Sequence, residues 1–175
     1  ERSELYMFSI LGILSTGAVY VPLDDAHPDD RIQFILNDTD PKVVIVSDET
    51  CERALNLIGS AAVLNVSDIL KGEIGALDEL PVDYGDLACM LYTSGTTGVP
   101  KGVKVTRKSA LNVPAYYNDA YGLTNDDVYG MFATIGFDAG SWAILSTICA
   151  GACLAVIPED IRLDMNAMND YFIEH

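Results

Sequence analysis

The chain has 175 residues, half of them apolar, and carries 10 Lys plus Arg against 26 Asp plus Glu, a formal net charge of −16. That length suffices for one packed core, and that composition excludes a disordered chain. The acidity excludes the phosphate backbone of nucleic acid and an anionic membrane surface as partners. It does not exclude a nucleotide, because one Lys and a set of backbone N–H groups can hold phosphates inside a negative protein.

In chain order, residues 4–16 have helical spacing and Gly17 supplies a helix end. The apolar run 7–22 is too short to cross a bilayer, which takes ~20 such residues. It also carries Ser9, Ser15, Thr16 and Gly17 and has no basic lead. Residues 18–23 predict an extended segment, with Pro22 barred from pairing through its own nitrogen. Pro28 opens a helix to about Asn37, with Ile32, Ile35 and Leu36 on its inner face. The near-continuous apolar run 42–47 predicts a strand covered on both faces. A helix over 49–58 and a strand over 62–66 follow, and then 67–86, rich in Asp, Glu, Gly and Pro, as a possible internal linker.

A strand over 87–92, a Gly-rich loop, a short strand over 102–106 and a helix over 108–121 come next. Residues 127–135 are extended, 138–150 helical, 152–157 a strand and 164–174 a last helix. This alternation predicts an α/β fold, mainly parallel sheets with flanking helices. Cys51, Cys89, Cys149 and Cys153 lack Cys-x-x-Cys spacing and are expected as small buried hydrophobes, which points to a reduced, cytoplasmic setting and to no protein-built metal site. The chain opens on Glu1, and its last residues sit inside an amphipathic pattern, so residues 1–175 are expected to be part of a longer domain.

Thr93-Ser94-Gly95-Thr96-Thr97-Gly98-Val99-Pro100-Lys101-Gly102 directly follows a predicted strand. Gly95 and Gly98 let the backbone bend and approach a ligand closely. Successive N–H groups in such a bend form a concave anion site. The hydroxyls of Thr93, Ser94, Thr96 and Thr97 add donors, and Lys101 adds a cation. The result is a phosphate cradle. It is not a Walker A loop: the residue four after Gly95 is Val99, and Lys101 is followed by Gly102 rather than Ser or Thr.

The string LYTSGTTGVPKGV, residues 91–103, resembles the phosphate-loop signature of the adenylate-forming superfamily of acyl-CoA synthetases, luciferase and peptide-synthetase adenylation domains. Residues 15–38, STGAVYVPLDDAHPDDRIQFILND, resemble an early segment of nonribosomal peptide synthetase adenylation domains. Residues 136–156, opening GFDAGSW, resemble their later segment built on Phe-Asp-Ala-Ser and a following Trp. Asp25 and His27 depart from the first pattern, and Gly140 and Ala143 from the second.

The resemblance implies the large N-terminal domain of an adenylate-forming enzyme, with the C-terminal part of that domain outside residues 1–175. It implies that an amino-acid carboxylate attacks the α-phosphorus of ATP, giving an aminoacyl-adenylate and pyrophosphate with Mg²⁺ present. The acyl group then passes to the phosphopantetheine arm of a carrier domain in the same parent polypeptide. Thr93, Ser94, Gly95, Thr96, Thr97, Gly98 and Lys101 would bind the ATP phosphates, with Lys101 as the catalytic cation. Asp138 would pair with the substrate ammonium, and Ala139 and Trp142 would line the side-chain pocket. From chemistry alone, Asp138 serves equally as a helix N-cap, and a carboxylate buried in its apolar run needs a partner. Tyr20, Asp24 and Arg31 are expected as scaffold. The family's metal-binding acid, adenine and ribose contacts and second catalytic Lys would lie downstream, so this piece alone is expected to be inactive. Three alternatives stay open: a D-alanine–carrier ligase, an acyl-CoA synthetase, and a non-catalytic nucleotide-binding or assembly module.

Overall fold

Ser3 begins the first helix, α1 (Glu4–Ser15): its side chain accepts the Tyr6 N–H, and Glu4 sits in the first turn where the helix dipole favours an anion. The helix stops at Thr16, and Gly17 takes a positive φ of 77°. The computed structural model describes residues 3–72, 75, 81–94, 99–134, 136 and 138–174. The extended segment after α1 makes a single bridge, Tyr20 with Cys89, because Pro22 has no N–H to continue the ladder.

Helix α2 (Asp29–Thr39) follows Pro28 and buries Ile32, Ile35 and Leu36, the inner face expected from their spacing. Strand β1 (Val43–Val46) and strand β2 (Ala62–Asn65) pair in parallel, joined through α3 (Asp48–Leu57). The Thr50 hydroxyl accepts the Ser47 N–H at 3.0 Å and fixes the start of α3. Among the described residues β1 is covered on one face only: Val44 and Val46 are buried, and Val43 is 45% exposed. Cover on both faces was expected; here Ile32, Leu36, Ala54 and Leu57 pack around Val44 and Val46. A short helix, α4 (Val66–Ile69), occupies the first residues of the expected linker, capped by Asn65 accepting from the Ser67 N–H. Asp48 ties α3 to it, accepting from Asn65 at 2.7 Å and Ser67 at 3.0 Å.

Strands β3 (Leu87–Thr93) and β4 (Lys101–Thr106) form an antiparallel hairpin, since so short a connection cannot reverse into a parallel pair. Helix α5 (Arg107–Tyr121) starts at Thr106, whose hydroxyl accepts the Ser109 N–H, and ends at Gly122 with φ 64°. Arg107 reaches back and donates to the carbonyls of Leu14 and Ala18, stapling the hairpin to the end of α1. Strand β5 (Val128–Met131) and strand β6 (Cys153–Val156) are a second parallel pair, joined through α6 (Asp138–Ala150). Helix α7 (Met165–Glu174) closes the described chain. Its Phe172 ring lies so near Gly130 that a Cβ there would come within 2.6 Å of the ring.

One apolar cluster joins Ile10 of α1, Tyr20, Cys89 of β3, Met131 of β5, and Ala143 and Ile144 of α6. The α/β character expected from the alternation is present, with two parallel pairs and one antiparallel pair among the described residues. The cysteines divide: Cys89 is buried, Cys51 half-buried, and Cys149 and Cys153 are exposed on the last turn of α6 and the start of β6.

Candidate active site

The hairpin register sets Lys101 opposite Thr93, and Gly102 opposite Tyr92. Directly opposed residues of an antiparallel pair project from the same face. Lys101 and Thr93 therefore share one face at the mouth of the hairpin, and both residues are exposed, as is Ser94. Gly95, Thr96, Thr97 and Gly98, the expected centre of the cradle, lie outside the described residues. Gly102 is required by close approach: a Cβ there would meet Met90 Sδ at 2.8 Å and Tyr92 Cζ at 3.2 Å. Tyr92, 9% exposed, donates its hydroxyl to the Asp38 carboxylate at 2.5 Å, which ties the strand leading into the loop to α2. Burial pushes the Tyr92 phenol upward, and the Asp38 carboxylate adds to that shift.

The second group of expected residues opens α6. Asp138 is the first residue of the helix, and its Oδ1 accepts the Ala139 N–H at 2.8 Å. Asp138 and Ala139 are exposed and Trp142 half-buried. Gly140, Ser141, Ala143 and Ile144 form the buried side of the same turns. Asp138 and Trp142 are four residues apart and so lie on one face, the outward one. The carboxylate expected to be buried is therefore open to solvent, because the helix turns its small residues, not its acidic N-terminus, into the core.

Tyr20 links the two groups. Its N–H donates to the Ala88 carbonyl at 3.1 Å, and its carbonyl accepts the Met90 N–H at 3.0 Å, so its backbone lies along β3. Its hydroxyl donates to Ser141 Oγ at 2.8 Å. Tyr20 is 4% exposed and burial drives its phenol far up, with Cys89 pressed against it. Asp24 belongs to the same junction, its side chain 3.7 Å from where a Cβ on Gly136 would stand. The sequence marked Tyr20 and Asp24 only as scaffold and did not single out Ser141; Asp38 closes the early segment of residues 15–38, but its pairing with Tyr92 was not readable, since no periodicity links residues that far apart.

An exposed cation beside hydroxyl donors at the open end of a hairpin suits a polyphosphate. Among the described residues no group of three or more His, Cys, Asp or Glu side chains is placed to hold a metal ion. No described helix is long and apolar enough to cross a membrane. A cavity of about 410 Å³ lies elsewhere, between α1, α2 and β1, lined by residues such as Tyr6, Ile13, Leu36 and Val44 and by none of the expected site residues.

The model of the family described as AMP-binding enzyme matches residues 1–175. Surfactin synthase subunit 2 of Bacillus subtilis (strain 168) is 39% identical over 170 residues, covering 94% of this chain and 5% of that protein. The curated relatives are much longer: the chain spans between 2% and 16% of their length. Among solved structures, ATP-bound MatB from Rhodopseudomonas palustris superposes with a TM-score of 0.87 at 23% identity, over 99% of this chain and 36% of that one. The nonribosomal peptide synthetase FmoA3 (S1046A) gives 0.80 at 25% identity, over 90% of this chain and 16% of that one. The match along the whole chain, the fold shared with MatB and the peptide-synthetase relatives agree with the hairpin and helix just described: the chain belongs to the AMP-binding enzyme family, and within it most resembles peptide-synthetase adenylation domains.

Proposed function

We propose that this chain is part of an amino-acid adenylation domain of a nonribosomal peptide synthetase, which joins an amino acid to ATP, forms an aminoacyl-adenylate and releases pyrophosphate. The observation that carries the proposal is the pairing of two surfaces on one core: the Lys101–Thr93 hairpin mouth and the Asp138–Trp142 arc of α6. Lys101 with Thr93, Ser94, Gly95, Thr96, Thr97 and Gly98 binds the departing β- and γ-phosphates. Asp138, at an exposed helix start, accepts the substrate ammonium, and Ala139 and Trp142 face the substrate side chain. Catalysis here is positioning and charge stabilisation, which needs donors and cations rather than a nucleophile.

Mg²⁺ would share the phosphate charge. The acyl group goes on to the phosphopantetheine of a carrier domain in the same polypeptide. A reducing, cytoplasmic setting fits four cysteines that are all free.

The test is ATP–pyrophosphate exchange by the full-length protein that carries this chain, against the common amino acids and simple carboxylic acids. Exchange dependent on one or a few amino acids is expected. Exchange with plain carboxylic acids alone would move the protein to the acyl-CoA synthetases. Exchange with none would favour a non-catalytic nucleotide-binding module.

A further inference from the structure

The start of α6 packs on the shared core through Ala143 and Ile144. Behind its first turn, the Ser141 hydroxyl accepts a hydrogen bond from Tyr20, in the segment that follows α1. Both groups are buried, Tyr20 at 4% and Ser141 at 6% exposure. The buried arc around Ser141 is otherwise small: Gly140 and Ala143 flank it, and Ile144 is the first large side chain. Apolar packing is non-directional, so it constrains the rotation of this turn less sharply than a directed bond does. A directional hydrogen bond from a fixed donor sets it.

The donor is fixed because the Tyr20 backbone is bonded on both sides to β3, through Ala88 and Met90, a short step before Thr93. Ser141 lies one residue before Trp142 and three after Asp138. A helix advances one turn per 3.6 residues, so any rotation at Ser141 swings Asp138, Ala139 and Trp142 by the same angle. The next bond from a neighbour, Asn118 Nδ2 to the Ser146 carbonyl at 3.1 Å, is to the backbone more than a turn further on.

We infer that Tyr20 and Ser141 are positioning residues for amino-acid selection: their hydrogen bond fixes the outward arc of α6 against the strand that enters the phosphate loop. The inference rests on the adenylation reading, in which that arc meets the amino acid. Neither residue touches the substrate. Their effect passes through the angle of the helix, and so falls on the amino acid rather than on ATP.

The experiment is pyrophosphate exchange by the full-length protein, using the amino acid that gives the fastest exchange and the next best one. Tyr20→Phe and Ser141→Ala each remove one hydroxyl with little change in volume. Each is expected to raise the KM for the amino acid about 5- to 10-fold, the effect of losing one buried hydrogen bond. The KM for ATP should stay within about twofold, and the preference for the best amino acid over the next should fall. The double variant should be no worse than the more affected single one, because both remove the same bond. A lower Tm with unchanged amino-acid KM and preference would overturn the inference and leave the pair as mere packing. An equal rise in both KM values would also overturn it. If Tyr20→Phe does not fold, Ser141→Ala, on the small-residue arc, carries the test alone. Absence of exchange by the unaltered protein would overturn the adenylation reading, and this inference with it.

Discussion

Lys101 and Asp138 show how much a single residue reveals in sequence. Lys101 was singled out because glycines, hydroxyls and a cation in one short string suit the holding of phosphates, and the structure sets it opposite Thr93 at the end of the hairpin. Asp138 was legible as a helix start, and the structure places it there with its carboxylate on the Ala139 N–H. Its exposure was not legible, because an apolar run does not say which side of the helix faces the core. The tyrosines make the residue scale testable. Burial is the main cause that raises the phenols of Tyr6, Tyr20 and Tyr92 above the ordinary value of 10.0. For such groups the folded state favours the neutral form. The stability they contribute is whole below the unfolded value and is lost as pH rises through the folded one. In an alkaline titration their phenolate absorbance should appear above pH 10 only together with loss of the far-ultraviolet dichroism signal. Ionisation of all 9 tyrosines with that signal intact would contradict this account.

Among the elements, helices were the most legible. The α6 segment was expected over the residues it occupies, and α2 shows the inner face that its spacing predicted. The strands were less so. An apolar run shows that a segment is extended, but not which partner it finds. Thus β3 and β4 pair antiparallel in a mainly parallel class, and the segment around Tyr20 makes one bridge in place of a strand. The linker composition of 67–86 concealed α4, whose short turn depends on an Asn65 cap rather than on apolar periodicity. The hairpin itself depends on α2 through the hydroxyl of Tyr92 and the carboxylate of Asp38. Tyr92→Phe keeps the ring that lies against Gly102 and removes only that bond. It should cost about 1 kcal/mol, read as a fall in Tm of about 2–4 °C. An unchanged Tm would mean that the ring alone holds the strand.

On the scale of the whole molecule, three segments that are separate in sequence meet at one core. The early segment supplies Tyr20, the loop strand supplies Cys89, and the later helix supplies Ala143 and Ile144. Their order could be read from the sequence, but their contact could not, because no periodicity links positions as distant as Tyr20 and Ser141, 121 residues apart. The same core carries both surfaces that the proposed chemistry needs, one for the phosphates and one for the amino acid. That division of labour is the central claim, and steady-state pyrophosphate exchange by full-length Lys101→Ala and Asp138→Ala variants tests it most directly. Lys101→Ala should raise the KM for ATP about tenfold or more and leave the amino-acid KM near its original value. Asp138→Ala should do the reverse, losing a charge-assisted hydrogen bond of about 1.5–3 kcal/mol. An Asp138→Ala variant with an unchanged amino-acid KM, or a Lys101→Ala variant with an unchanged ATP KM, would contradict the account.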